Sequence, residues 1–123
     1  MARILVIDDD PMITKLLHSV FENAGHKVTE ASDGKIGIKL YRQDPFDLII
    51  LDLVMPEKEG IETIMELRCD FPDVRIIAIT GGVRGETDVL LTAAKDLGAL
   101  SAFKKPLYSE DILKAAEEIL KED

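Results

Sequence analysis

Five short apolar runs, each followed by a segment with helical spacing, leave this chain few folds to choose from. The runs begin near Arg3, Lys27, Asp47, Val74 and Ala102, at intervals of 24, 20, 27 and 28 residues. Each interval holds one helix, which makes five successive βα units. Such a chain folds as a five-stranded parallel sheet with right-handed crossovers and helices on both faces, a doubly wound α/β domain. No linker-like or low-complexity segment interrupts the alternation, so residues 1–123 read as one domain.

The strongest strand is Leu48 to Leu51, four consecutive aliphatic residues that suit a strand buried on both faces. It ends at Asp52. Groups at the carboxyl ends of strands are where open α/β sheets gather ligands. From this stretch alone, a reactive Asp52 and a turn-forming Asp52 are equal alternatives. The first run, Ile4 to Ile7, stops at Asp8-Asp9-Asp10-Pro11. Asp10 and Pro11 fit the N-cap and first position of a helix carrying Ile13, Leu16, Leu17, Val20, Phe21 and Ala24 inward and ending at Gly25. Asp8 and Asp9 have no such role, and their mutual repulsion is costly unless a cation neutralises it.

Between these segments, His26 to Ala31 is expected as an edge strand. A helix from about Gly34 carries Ile36, Leu40 and Tyr41, and its interior glycines each cost about 1 kcal/mol relative to alanine. A third helix, from about Gly60 to Asp70, turns Ile61, Ile64, Met65 and Leu67 inward, and Val74 to Ile79 forms the fourth strand, ending at Thr80. Gly81-Gly82-Val83-Arg84-Gly85 lacks both the P-loop and the dinucleotide pattern. A helix from about Glu86 to Leu97 follows, with Leu90, Ala94 and Leu97 inward. The last strand is Ala102 to Lys104, and the last helix starts at Ser109 with Ile112, Leu113, Ala116, Ile119 and Leu120 inward.

Charge removes whole classes of function. With 24 acidic against 15 basic residues the net charge is -9, which repels nucleic-acid backbones and anionic lipid. The N-terminal apolar run is too short for a signal peptide or a membrane span. The single cysteine, Cys69, fits a reducing, cytoplasmic setting and reads as a packed or idle thiol. His18 and His26 lack a second nitrogen or sulfur ligand at metal spacing and are expected to be solvated.

Collecting the strand ends gives Asp8, Asp9, Asp52, Thr80 and Lys105 on one edge. Hard oxygen ligands unaccompanied by His or Cys suit Mg²⁺, with Mn²⁺ an alternative. A carboxylate can attack phosphorus, and a cation, an ammonium and a hydroxyl can neutralise the transferring group.

The segments Val6-Ile7-Asp8-Asp9-Asp10, Asp52 through Met55-Pro56 to Gly60, Ile79-Thr80-Gly81, and Gly98-Ala99 followed by Lys105-Pro106 appear in an order and spacing that resemble a receiver domain of a two-component response regulator, similar to the single-domain chemotaxis and sporulation regulators. The resemblance covers the whole chain and implies the flavodoxin-like strand order 2-1-3-4-5. It implies phosphorelay signalling in which Asp52 accepts a phosphoryl group from a phosphohistidine on a histidine kinase or histidine phosphotransfer protein. Asp8, Asp9, Asp52 and the backbone carbonyl of Val54 would hold Mg²⁺, Asp8 mainly through water. Thr80, Gly81 and Lys105 would bind the phosphoryl group, and Lys105-Pro106 would be a cis peptide. A rim of Thr14, Lys15, His18, Leu107 and Tyr108 would dock the donor. The partners implied are that donor and a downstream protein target, with no direct nucleic acid and no membrane, and a phosphorylation-dependent dimer is a further arrangement it allows.

Two departures from the family pattern matter. The position three before Lys105, usually Tyr or Phe, is Ala102, while Phe103 should face the other side of its strand. Readout is therefore expected through the Thr80 to Gly85 loop, the following helix and the region to residue 105. Val54 and Gly82 stand where the family tunes aspartyl-phosphate lifetime; neither side chain can position water, so self-dephosphorylation should be slow or moderate. Leu91 and Leu100 fit the inner faces poorly, and core packing is the expectation for both. Two other readings remain, a phosphohydrolase with an Asp nucleophile and an unphosphorylated scaffold; the first would want an acid where Val54 stands. With no output domain after Lys121-Glu122-Asp123, the chain reads equally as a stand-alone regulator or as a receiver cut from a longer protein.

Overall fold

The computed structural model describes residues 1–54, 60–81 and 87–121. Within them the chain runs β1 (Arg3–Ile7), α1 (Pro11–Asn23), β2 (Lys27–Ala31), α2 (Gly34–Gln43), β3 (Leu48–Asp52), α3 (Gly60–Asp70), β4 (Ile76–Thr80), α4 (Thr87–Asp96), β5 (Ser101–Lys104) and α5 (Ser109–Lys121). All strand pairs are parallel, and the order across the sheet is β2-β1-β3-β4-β5. This is the doubly wound arrangement expected from the βα alternation, in the strand order that the family resemblance implies. The motif residues 55–59 and the loop residues Gly82 to Gly85 lie outside the described residues.

Because side chains alternate across a strand, each central strand feeds two cores. Leu5, Ile7, Ile49, Leu51, Ile76 and Ala78 meet Ile38, Ile64, Leu67 and Ala94 on one face. On the other, Ile4, Val6, Leu48, Ile50, Ile77 and Ile79 meet Leu17 and Phe21 of α1 and Ile112, Ala116 and Ile119 of α5. Strands β3 and β4 are buried at every position. The carboxyl ends of β1 and β3 are held in register, with Ile7 opposite Leu51, so Asp8 and Asp52 follow at adjacent points of one edge.

Local capping sets the first helix. Asp10 is extended and its carboxylate accepts a hydrogen bond from the Met12 amide, with Pro11 in the first turn. Helix α2 is capped in the same way by Asp33. Its interior Gly37 is a packing requirement: a Cβ there would lie 2.3 Å from Ile7 Cδ1, so the glycine lets α2 settle on β1.

Several inward assignments are corrected. Leu16, Ile36 and Met65 are exposed, while Ile38 and Thr63, unforeseen, are buried. In α2 the close approach at Gly37 rotates the helix so that Ile38 rather than Ile36 meets the sheet. Ala24 caps α1 from outside and is exposed. Strand β4 starts two residues late, because Val74 donates its amide to Phe71 O and closes a turn. Leu91 packs partly against the core as expected, but Leu100, between α4 and β5, is 51% exposed. His26 is not solvated: it is half-buried, and its Nδ1 accepts a hydrogen bond from the Ala2 amide. Cys69 is exposed. Among the described residues no helix is long and apolar enough to cross a membrane.

Candidate phosphoacceptor site

Three carboxylates converge at the carboxyl edge. Asp8 follows β1, Asp52 ends β3, and with Asp9 they offer ligand oxygens all within 4.8 Å of one another. Asp8 and Asp52 are buried, at 2% and 3% exposure, whereas Asp9 is exposed. Asp8 Oδ1 accepts from the Asp10 amide at 2.9 Å, and Asp52 Oδ1 accepts from the Val54 amide at 3.2 Å. Each short loop thus fixes one oxygen of its own carboxylate and leaves the other free to face the cleft.

Lys105 reaches both. Its Nζ lies 3.0 Å from Asp8 Oδ2 and 3.4 Å from Asp52 Oδ2, with its side chain 18% exposed. The Asp8 contact is an ion pair rather than a hydrogen bond of normal geometry, so that buried oxygen makes no hydrogen bond among the described residues. One ammonium therefore faces two buried carboxylates, and the balance is incomplete. Burial first, then repulsion from Asp8, pushes the Asp52 carboxyl up to about 7, against the opposing pull of the Val54 amide and Lys105. Burial pulls the Lys105 ammonium down, but Asp8 and Asp52 outweigh it and its pKa is raised. Three carboxylates that share one ammonium, two of them buried, are an under-neutralised donor set that fits a hard divalent cation.

Strand β4 supplies the rest of the edge. Thr80 is fully buried at its last position, and Thr80 O accepts the Lys105 amide at 2.8 Å, which brings the start of the β5–α5 connection beside β4. Gly81 is exposed next to it, and the Lys105–Pro106 peptide is cis. Gly60 also packs here. A Cβ on it would stand 2.5 Å from Asp52 O and Leu53 Cα, so α3 begins directly against the end of β3.

The expected donor-docking rim is only partly on the surface. Lys15 and Tyr108 are exposed, Tyr108 at 67%. Thr14 is buried, its hydroxyl donating to Pro11 O, because it lies on the side of the first α1 turn that faces the sheet edge. Leu107 packs partly into the α1/α5 core. His18 is engaged by Glu30 at 3.0 Å and Glu22 at 3.6 Å. The sequence reading missed Met12, 79% exposed, and placed Leu16 in the core, although the two are four residues apart on one face of α1. Val54 is also exposed at 38% beside Asp52. An apolar residue opposite the core stripe was the available signal. Beside the acids a cleft of about 380 Å³ is lined by Asp8, Asp9, Thr14, Glu30, Ser32 and Ile36, among others.

The family model described as response regulator receiver domain matches residues 4–117. Protein PilH of Pseudomonas aeruginosa is 34% identical, over 98% of this chain and 98% of its own length. Sporulation initiation phosphotransferase F of Bacillus subtilis is 31% identical, over 96% of this chain and 93% of its own length. Among solved structures, a response regulator receiver domain protein from Clostridium thermocellum superposes with a TM-score of 0.89 at 28% identity, covering 98% of this chain and 95% of that one. Response regulator protein TrrA from Thermotoga maritima, solved in complex with Mg²⁺–BeF, gives 0.83 at 28% identity, covering 97% and 99%.

Proposed function

This chain belongs to the response regulator receiver domain family, and from that premise we propose that it is a phosphorelay switch that accepts a phosphoryl group on Asp52. The observation that carries the reading is the meeting of two buried carboxylates, Asp8 and Asp52, with the single ammonium of Lys105 at one sheet edge. The donor is a phosphohistidine on a sensor kinase or histidine phosphotransfer protein. An Asp52 oxygen forms the new bond to phosphorus while the bond from phosphorus to imidazole nitrogen breaks and its electron pair returns to the ring.

Asp8, Asp9 and Asp52, with the Val54 carbonyl, would hold Mg²⁺, the ion named in the solved complex of TrrA. Such an ion would supply positive charge against the carboxylates and the phosphoryl oxygens. The Val54 amide orients the Asp52 carboxylate. Lys105 supplies a positive charge for one phosphoryl oxygen, and Thr80 and Gly81 bind another. The rigid, fully buried β3 holds the nucleophile in place, which is the main requirement of phosphoryl transfer.

Lys15 and Tyr108 belong to the docking rim, joined by exposed Met12 and Leu16. The chain acts in the cytoplasm, through protein partners rather than nucleic acid, and it is not a turnover enzyme. With Val54 and Gly82 at the positions that tune lifetime, the phosphorylated form decays slowly by itself. Acetyl phosphate with Mg²⁺ should add one phosphoryl group by intact mass, and Asp52→Asn should add none. Turnover of small phosphate esters, or labelling that survives Asp52→Asn, would overturn the reading.

A further inference from the structure

We propose that Glu22, held in place by His18, closes the free edge of β2 and so keeps two copies of this chain from joining their sheets there. In the order β2-β1-β3-β4-β5, one side of β2 pairs with β1 and the other has no neighbouring strand. The Lys27 amide donates to Ala2 O at 2.9 Å, and Ala31 O accepts from the Asp8 amide at 3.1 Å, so the backbone of these two residues faces β1. Backbone direction alternates along a strand, and the amides and carbonyls of Val28 and Glu30 therefore face outward. An edge of that kind is a template for a further strand. Lys27, Thr29 and Glu30 are exposed, so burial does not protect it.

Side chains of α1 do. The Glu22 carboxylate accepts a hydrogen bond from the outward Val28 amide at 3.0 Å. One turn earlier on α1, the His18 ring stands between Glu22 and Glu30, with Nε2 3.6 Å from Glu22 Oε2 and Nδ1 3.0 Å from Glu30 Oε2. One helical turn, about 5.4 Å, and two strand residues, about 6.6 Å, are close enough in length for residues four apart on α1 to meet residues two apart on β2. His18 thus fixes Glu22 over the Val28 amide and separates two carboxylates that would repel each other along the edge. A strand arriving there has to displace the Glu22 oxygen and meet exposed acidic charge. A second copy is the occupant this arrangement excludes, because an isologous pair brings the glutamates of each chain against those of the other. The opposite edge strand, β5, is four residues long and ends in Lys104, so length and charge blunt it. The role is independent of the chemistry at Asp52.

The test compares wild type with Glu22→Ala and Glu22→Gln in the full chain. Sedimentation equilibrium gives mass against concentration, NMR gives exchange rates of the Val28 and Glu30 amides, and urea unfolding checks the fold. The expected result is a wild type whose mass is independent of concentration and a Glu22→Ala protein whose mass rises toward that of a dimer. In dilute Glu22→Ala the Val28 amide should exchange about 5-fold faster, the loss of one hydrogen bond. In the concentrated variant the Val28 and Glu30 amides should become protected together. Glu22→Gln, which keeps an acceptor oxygen, should behave as wild type. A Glu22→Ala protein that stays monomeric at every concentration would overturn the proposal, as would association that leaves the Glu30 amide unprotected, or a Glu22→Gln protein that associates as readily as Glu22→Ala. If Glu22→Ala does not unfold cooperatively, His18→Ala decides, since it loosens Glu22 without removing it. Its Val28 amide should exchange faster than in wild type, and an unchanged rate would sink the idea.

Discussion

Replacing Asp52 by asparagine should stabilise the metal-free protein, by an amount that depends on pH. Asp52 is buried beside Asp8, with Lys105 shared between them, and its pKa rises from 3.8 to about 7. Between those values the folded protein keeps a proton on Asp52 that the unfolded chain releases. Stability from this group is therefore greatest below the unfolded pKa, falls as pH rises toward 7, and stays lowered above it. A gap of that size corresponds to about 4 kcal/mol as an upper bound, and solvent reaching the cleft mouth reduces this to about 2 kcal/mol. An asparagine side chain at position 52 cannot ionise, keeps an acceptor for the Val54 amide, and leaves Asp8 the whole of Lys105. Urea denaturation in EDTA should show Asp52→Asn more stable than wild type by about 2 kcal/mol at pH 8, and nearly equal to it at pH 4.5. Saturating Mg²⁺ should raise the wild type at pH 8 and shrink the difference, because it binds the folded carboxylates only. A destabilised Asp52→Asn protein at pH 8, or a difference independent of pH, would refute the account of a carboxylate held under repulsion.

Two further results follow from the same edge. Gly60→Ala should destabilise the fold by about 2–3 kcal/mol, since its Cβ would meet backbone rather than a movable side chain; a urea midpoint within error of wild type would count against the close α3–β3 contact. Hydrogen exchange in residues 80–85 and α4 should change when beryllofluoride and Mg²⁺ are added together, and unchanged exchange there would end the idea that this region carries the readout.

The sheet was legible because its signal is redundant. Strands such as Leu48 to Leu51 are apolar at every position, and the strand ends carry residues that a buried sheet cannot otherwise explain. Helix faces were less legible. Ile36 and Ile38 are chemically the same, and the choice between them was made by Gly37 closing on Ile7, a contact between distant segments that periodicity does not encode. Thr14 was read as rim because it is polar and near the acids. Its hydroxyl bonds back to Pro11 O, which lets a polar residue be buried at the first turn of a helix. His26 likewise became part of the fold through Ala2, 24 positions away. At the site, residue types were readable, but the sharing of one Lys105 between two carboxylates was not, because it depends on where the β5–α5 connection crosses β4.

In the proposed switch, Ala102 decides how a change at the acidic edge can be read out. It lies on the sheet face that packs against α4, while Phe103 packs toward α1 and α5, so the only aromatic ring of β5 is turned away from α4. A methyl group has no rotamer with which to report the position of Thr80. The neighbouring contact that does span β5 and α4 is Lys104 Nζ to Asp88 Oδ1 at 2.8 Å, one residue before Lys105. Both side chains are largely exposed, so the pair is worth well under about 1 kcal/mol by itself and cannot drive a transition. In the switch proposed above, the energy comes from Lys105 changing partners between Asp8, Asp52 and a phosphoryl group at the acidic edge, where its own amide is tied to Thr80 O. On that proposal helix α4 is the element that responds, since it packs on β4 and β5 through Ala94, Leu90 and Leu91 rather than through an aromatic ring.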